Sequence, residues 1–240
     1  MNGASYRSSD LLRLAGAAFI ADPAGALYWP EERLLVIADL HLEKGSAYAS
    51  RRVFLPPYDT AATLASLANL ICLYAPAIVV ALGDSFHDSN ASQRLGDHDR
   101  AMIRTLQTGR EWIWIAGNHD PAPPAGLEGE ILPRLEIGGI HFRHAPLRNT
   151  GAEIAGHLHP VARVVGRAGS VRRRCFVSDG SRCVLPAFGA YTGGLNLRDA
   201  AFAPLFGARD VFDRGFGPVF AHVLGRDRVY KVAETRCLPD

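Results

Sequence analysis

Three apolar runs of strand length, each ending in a polar cluster, constrain this chain more than any other feature. Leu34–Ala38 (LLVIA) runs into Asp39-Leu40-His41, Ala77–Leu82 (AIVVAL) into Gly83-Asp84, and Trp112–Ala116 (WIWIA) into Gly117-Asn118-His119-Asp120. Apolar runs without polar alternation read as strands buried on both faces. In open α/β sheets, ligands bind beyond the carboxyl ends of strands, where loops from several strands converge. Polar clusters at three successive strand ends therefore predict one shared site.

The remaining punctuation gives the class. Pro56-Pro57 breaks the chain, Asp59 or Thr60 then caps a helix to about Tyr74, and Pro76 stops it. A second helix over Asp97–Thr108 leads to Gly109, and Pro121–Pro124 reads as a loop. From Ile131 onward the runs are short and β-like: Leu132–Ile137, Ile140–Arg143, Glu153–Ala155, Val161–Val165, Cys175–Ser178 and Cys183–Ala187. Leu11–Ala21 (LLRLAGAAFIA) is short and interrupted by Arg13, so it reads as a first core strand behind a loose leader. Strand and helix in alternation, then mostly strand, predict an α/β domain. With no repeat or linker, one domain over residues 1–240 is expected, its core at about 19–233 and its termini peripheral.

Composition narrows the setting. Hydrophobic residues make up 48% of the chain, enough for a substantial core, and a net charge of +2 does not by itself announce a nucleic-acid partner. Only Lys44 and Lys231 are lysines, which we read as base composition of the genome. Cys72, Cys175, Cys183 and Cys237 form no CxxC pair, which argues against a zinc knuckle or a disulfide scaffold and for a reducing cytoplasm. No apolar run approaches the ~20 residues of a spanning helix, so no membrane partner is expected.

The polar clusters carry metal chemistry. Asp39 and His41 are two apart, so on extended chain both side chains face one way and can grip one ion. His157 and His159, in Gly156-His157-Leu158-His159-Pro160, share that spacing and so the same consequence. With Asp84, Asn118 and His144 they make a mixed carboxylate, amide and imidazole set that suits Mn, Fe or Zn better than Ca or Mg. A carboxylate can bridge two such ions, the arrangement of two-metal phosphatases and nucleases. Each fragment alone is weak; GNHD and GHLH in one chain, at strand ends, are not.

These motifs resemble those of the calcineurin-like metallophosphoesterases. The runs Asp39–Gly45 (DLHLEKG), Leu55–Thr60 (LPPYDT), Gly83–Asp88 (GDSFHD), Gly156–Pro160 (GHLHP) and Leu185–Leu195 (LPAFGAYTGGL) are most similar to the bacterial ligase-associated DNA damage response endonucleases of the PdeM type. The resemblance spans roughly residues 19 to 205. It implies a central two-sheet β-sandwich flanked by helices in four layers. It also implies two divalent ions, Mn first, with Asp39, His41 and His159 on one, Asn118, His144 and His157 on the other, and Asp84 between them. The implied reaction is phosphodiester hydrolysis in DNA, single-stranded in a repair setting beside a DNA ligase and helicase. No ligand is missing, which tells against a non-catalytic scaffold.

Three further residues are candidates for catalysis. His119 would protonate the leaving alkoxide, with Asp120 beside it raising its pKa and fixing its tautomer. His87 either contacts a substrate phosphate or only caps its loop; its place in Gly83-Asp84-Ser85-Phe86-His87 resembles the nucleases of this superfamily. His98, His141 and His222 belong to no motif. Tyr48, Tyr58, Phe86 and Tyr191 could stack on bases, and Arg51, Arg52, Arg148 and Arg172–Arg174 could meet phosphates, although charge runs are usually solvated turns. The alternative is a small-molecule phosphodiesterase or pyrophosphatase acting on nucleotides or lipid precursors, for which the same metal chemistry serves.

Overall fold

The computed structural model describes residues 11–53, 55–120, 126–148, 151–166, 169–206 and 217–240. The Pro121–Pro124 loop and the leader before Leu11 lie outside them. One sheet runs in chain order through β1 (Leu11–Leu14), β2 (Ala17–Ala21), β3 (Leu27–Trp29), β4 (Leu34–Ile37), β5 (Ile78–Leu82), β6 (Glu111–Ile115) and β7 (Glu130–Leu132). It is antiparallel up to β4 and parallel from β4 to β7. The crossovers carry α1 (Lys44–Ser50), α2 (Asp59–Tyr74), α3 (Ala91–Arg94) and α4 (Asp97–Gln107).

The second sheet is built from β8 (Leu135–Ile137), β9 (Ile140–Arg143), β10 (Glu153–Ala155), β11 (Val161–Gly166), β12 (Gly169–Ser178), β13 (Arg182–Val184), β14 (Phe220–Leu224) and β15 (Val229–Ala233). Its order is β15-β14-β12-β13-β10-β9-β8, with β11 pairing β12; β9, β10 and β13 are parallel and the other pairs antiparallel.

The three apolar runs are strands buried on both faces, and the pleat sorts their side chains between two cores. Leu34, Val36, Val80, Leu82, Ile113 and Ile115 enter the seam between the sheets, meeting Phe142, Ile154, Phe176 and Leu185 of the second sheet. Leu35, Ile37, Val79, Ala81, Trp112 and Trp114 face the other way, onto Leu64, Leu67 and Ile71 of α2 and Ile103 and Leu106 of α4. Burying each such side chain contributes about 1.5–3 kcal/mol. A thinner layer, including Ala162, Leu197 and Cys237, covers Cys175, Val177, Ala221 and Val223 on the outer face of the second sheet; α5 (Ala203–Phe206) supplies Phe206 there. The architecture is the expected two-sheet sandwich flanked by helices.

Several local expectations change. Leu11–Ala21 is a hairpin rather than one strand. Ala15 (φ 49°) and Gly16 (φ 87°) are both left-handed, as a two-residue type I′ turn demands. Leu132 and Leu135–Ile137 belong to different sheets, so the single run expected there is where the chain crosses the seam. Asp59 and Thr60 open α2 from inside the helix and turn their side chains to the α1 loop instead of capping. Arg172–Arg174 is strand, not turn, and Leu12, Leu14 and Cys237 are buried outside the expected core limits.

His222 gives the fold a pH dependence. It is buried on β14 opposite Lys231, and desolvation, with Lys231 assisting, lowers its pKa to about 4 from an ordinary 6.5. The folded state then disfavours the proton that the unfolded chain accepts. The stabilising difference is fully present above pH 6.5 and is lost as pH falls toward 4. We expect wild type to lose on the order of 3 kcal/mol more than His222→Leu over that window, measured by urea unfolding at stepped pH.

Candidate metal centre

The polar clusters meet at one edge of the seam because both sheets end there. Asp39 and His41 follow β4, Asp84 follows β5 and Asn118 follows β6; His144 follows β9, and His157 and His159 follow β10. Main-chain bonds carry the pairing past the strands. His41 N–H donates to Asp84 O (2.9 Å), Leu42 N–H to Ser85 O (2.9 Å) and His87 N–H to Leu42 O (2.9 Å). The DLHLEKG and GDSFHD segments are thereby zipped side by side.

The backbone is strained where the ligand types stand. Asp39 (φ 53°), His41 (44°), Asp84 (45°), His157 (70°) and His159 (48°) are all left-handed. Such a conformation costs about 1–3 kcal/mol at each non-glycine residue and persists only where the surroundings enforce it. Carboxylates help to enforce it. Asp39 Oδ2 accepts the His157 N–H and Asp84 Oδ1 accepts the His119 N–H, both at 2.9 Å. Behind them, Glu43 (φ 64°) holds Thr60 and Ser46 through its carboxylate, and Asp59 Oδ2 accepts the Gly45 N–H. Glu43 was not singled out from sequence, and Asp59 and Thr60 only as helix caps, yet all three lie inside the two quoted runs DLHLEKG and LPPYDT.

Two groups of ligand atoms result, each with its atoms within 4.8 Å of one another: Asp39, His41 and His159, and Asp84, His144 and His157. In the first, His159 Nε2 is 3.3 Å from Asp39 Oδ1 and 3.4 Å from His41 Nε2. In the second, His144 Nε2 lies 3.4 Å from Asp84 Oδ2, 3.1 Å from His157 Nδ1 and 2.8 Å from Asn118 Oδ1. The structure thus brings together all seven residues selected from sequence. Asp39, His41, Asp84 and His144 are buried, while Asn118 and His157 are exposed, so the cluster is open on one side.

These residues fit cations. His144 Nδ1 lies 2.9 Å from Leu82 O, an acceptor only, so Nδ1 carries a proton and Nε2 turns to Asn118 Oδ1, His157 Nδ1 and Asp84 Oδ2. Burial would lower the His144 pKa, but Asp84 and then Asp39 outweigh it and raise it, so Nε2 faces a place that favours positive charge. Converging lone pairs repel unless a positive charge lies among them. Asp39 Oδ1 and His41 Nδ1 are buried with no hydrogen bond, a cost relieved where Asp39 Oδ1 meets an ion. Burial, then the neighbouring His159, lowers the His41 pKa to about 3, giving the neutral imidazole that ligation requires. At Asp84 burial alone would raise the pKa, but the hydrogen bond and charge of His144 outweigh it, together with the His119 N–H, and hold it at about 2.

Around this cluster the other candidates separate. His119 is 45% exposed, its Nε2 3.9 Å from Asp84 Oδ2, and its ring stacks on His87 with centroids 5.9 Å apart. Asp120 is not the partner expected for His119. It is buried, its Oδ2 takes the Phe86 N–H at 2.9 Å, and it pins the loop after Asp84; desolvation, opposed by that hydrogen bond, raises its pKa to about 7. His87 has a buried Nδ1 without a hydrogen bond, and its pKa is lowered by burial and then by Lys44. His141 pairs with Glu136 at 3.3 Å, away from the cluster. Phe86 is 1% exposed and cannot stack on a base, whereas Tyr58 and Tyr191 are exposed.

Glycines make room for this packing. A Cβ on Gly156 would stand 2.6 Å from Asp39 Oδ2, and one on Gly117 2.2 Å from the Asp84 nitrogen. Neither neighbour can retreat without turning a carboxylate away. Gly156→Ala should therefore weaken divalent-cation binding about 10–100-fold, as does loss of groups that orient ligands. Calorimetric titration with Mn checks this, and affinity equal to wild type would disprove the account.

Comparison with known proteins bears on these residues. The family model for calcineurin-like phosphoesterases matches residues 32–180. The crystal structure of Pseudomonas putida nuclease MPE is similar over 92% of this chain and 98% of that chain, with a TM-score of 0.66 and 26% identity. Curated protein sequences gave no match. The matched segment is most of the chain and holds every residue of both ligand groups. The chain belongs to the calcineurin-like phosphoesterase family, and it is a metal-dependent phosphoester hydrolase.

Proposed function

We propose that this hydrolase is a Mn-dependent endonuclease that cuts single-stranded DNA in a repair setting, working beside a DNA ligase and helicase. The observation that carries the reading is the stacked pair His119 and His87 at the open side of two adjoining ligand groups. Similarity to a structure titled as a nuclease supports it. The apolar seam shared by both sheets supports reading residues 1–240 as one domain.

Asp39, His41 and His159 would hold one cation, Asn118, His144 and His157 a second, and Asp84 would lie between them. Divalent cations held there would supply the charge that acidifies water and neutralises phosphate oxygens. His119 is exposed and tethered through its own N–H to Asp84, so its ring can give a proton to the departing sugar oxygen. His87 stands behind it, held by Leu42 O through its main chain, and offers a ring N–H to a phosphate oxygen. Asp120 acts at one remove, by fixing Phe86 and so the loop that carries His87.

Cleavage of circular single-stranded DNA, run with Mn beside a nitrophenyl phosphodiester, tests the reading. Asp84→Ala should lower both reactions by more than about 100-fold. His119→Ala should slow DNA cleavage by about 10²–10⁴-fold. It should slow the aryl ester far less, because nitrophenolate leaves without a proton. Wild type that hydrolyses the aryl ester but never the DNA would end the nuclease reading in favour of a small-molecule phosphodiesterase.

A further inference from the structure

Arg174 stands out in the charge inventory. It lies on β12 with its guanidinium largely withdrawn from solvent, and only desolvation acts on its pKa, downward. Among the described residues no carboxylate pairs with it. Its Nη1 donates to Ala187 O at 2.7 Å and to Phe188 O at 3.4 Å, which leaves Nε and Nη2 uncommitted. A sheltered cation without an anion is costly unless something negative visits it.

The guanidinium lines a cavity of about 310 Å³ that Thr63, Ser66, Gly189, Tyr191 and Thr192 also line, and no acidic residue does. Thr192 Oγ1 has no hydrogen bond and is closed off from solvent, so it meets an anion in the cavity by turning about its Cα–Cβ bond. The Thr63 hydroxyl accepts the Ala190 N–H at 3.0 Å and keeps its own proton to donate. A fixed cation, several hydroxyl donors and no carboxylate are the chemistry of an oxyanion site. The volume exceeds one phosphate, and Tyr191, 48% exposed, offers a ring for what is attached to it.

The cavity adjoins the ligand groups through its own wall. Gly189 N–H donates to Asp39 O at 3.2 Å, and a Cβ on Gly189 would stand 2.0 Å from Leu40 O. A few residues on, a Cβ on Gly194 would stand 2.0 Å from His159 O. The segment carrying Tyr191 and Thr192 therefore presses its main chain on both sides of the first ligand group.

We infer that this cavity is a phosphate subsite for the substrate strand, in which Arg174 and Thr192 hold a backbone phosphate flanking the one being cut. The inference rests on the nuclease reading and adds a basis for preferring a polynucleotide to a small ester. Arg174 and Thr192 would be binding and positioning residues, not catalytic ones.

The test is steady-state kinetics of wild type, Arg174→Gln, Arg174→Lys and Thr192→Val on a single-stranded oligonucleotide and on a nitrophenyl phosphodiester too short to reach the cavity. For Arg174→Gln the ratio of oligonucleotide to aryl kcat/KM should fall about 10-fold, through KM, with partial recovery in Arg174→Lys. The slope of log KM against log salt should flatten by about 0.7, the share of one single-strand phosphate contact. Thr192→Val should raise the oligonucleotide KM without changing that slope; a merely structural hydroxyl with no partner could be removed at no loss. Equal losses on both substrates, or an unchanged ratio and slope, would overturn the subsite while leaving the nuclease reading standing. Wild type inactive on the oligonucleotide but active on the aryl ester would remove that reading and the subsite with it.

Discussion

Carboxylates that accept main-chain N–H groups from foreign loops are the interaction on which this molecule depends. Asp39 takes its amide from His157, Asp84 from His119 and Asp120 from Phe86. Each bond joins the end of one strand to the loop after another. Together they hold left-handed ligand residues in conformations that none would keep alone. A charged acceptor, as at Asp84, makes a hydrogen bond roughly twice as strong as a neutral one, which suits it to this work. A fourth buried acid repeats the device on the other sheet. Glu153 binds Arg143 and Arg182 and accepts the Leu147 N–H, steadying the chain just past His144.

Much of the site could be read from sequence because its ligand types come in short spacings at strand ends. Asp39/His41 and His157/His159 stand out by their spacing, although not through extended chain: all four are left-handed, and His157 and His159 part into different ligand groups. The three parallel strands stand out by unbroken apolar runs. The two long helices, α2 and α4, were legible to within a residue or two, whereas α1, α3 and α5 were not foreseen. Most short strands of the second sheet were legible too, Ile140–Arg143 and Glu153–Ala155 to the residue, but β3 and β14 were not. Leu27–Trp29 has too few residues to show a period, and β14 interrupts its apolar pattern with His222. The seam crossing after Leu132 leaves no local mark, since both halves are equally apolar.

Partnerships across the chain were the hardest to foresee. Asp120 is next to His119 in sequence, and adjacency suggested a contact; the peptide geometry instead sends the carboxylate inward to Phe86. Arg172–Arg174 looked like a solvated turn because composition cannot tell an exposed cation from one folded against a cavity. Left-handed φ at Asp and His is marked in composition only by a modest enrichment of those residue types, a weaker signal than glycine. What adjoining glycines do reveal, at Gly83, Gly117 and Gly156, is that something must approach the backbone closely.

Both ligand groups draw residues from both sheets. Asp39, His41 and Asp84 end strands of the first, and His144, His157 and His159 end strands of the second. Elsewhere the sheets are joined by apolar contact, which has no directional preference and tolerates small sliding. An ion held at this edge would act as a clasp across the seam, fixing the angle between the sheets by coordination geometry. Its binding free energy would then be counted partly as folding free energy. The same atoms that prepare the chemistry would lock the two halves of the sandwich in register.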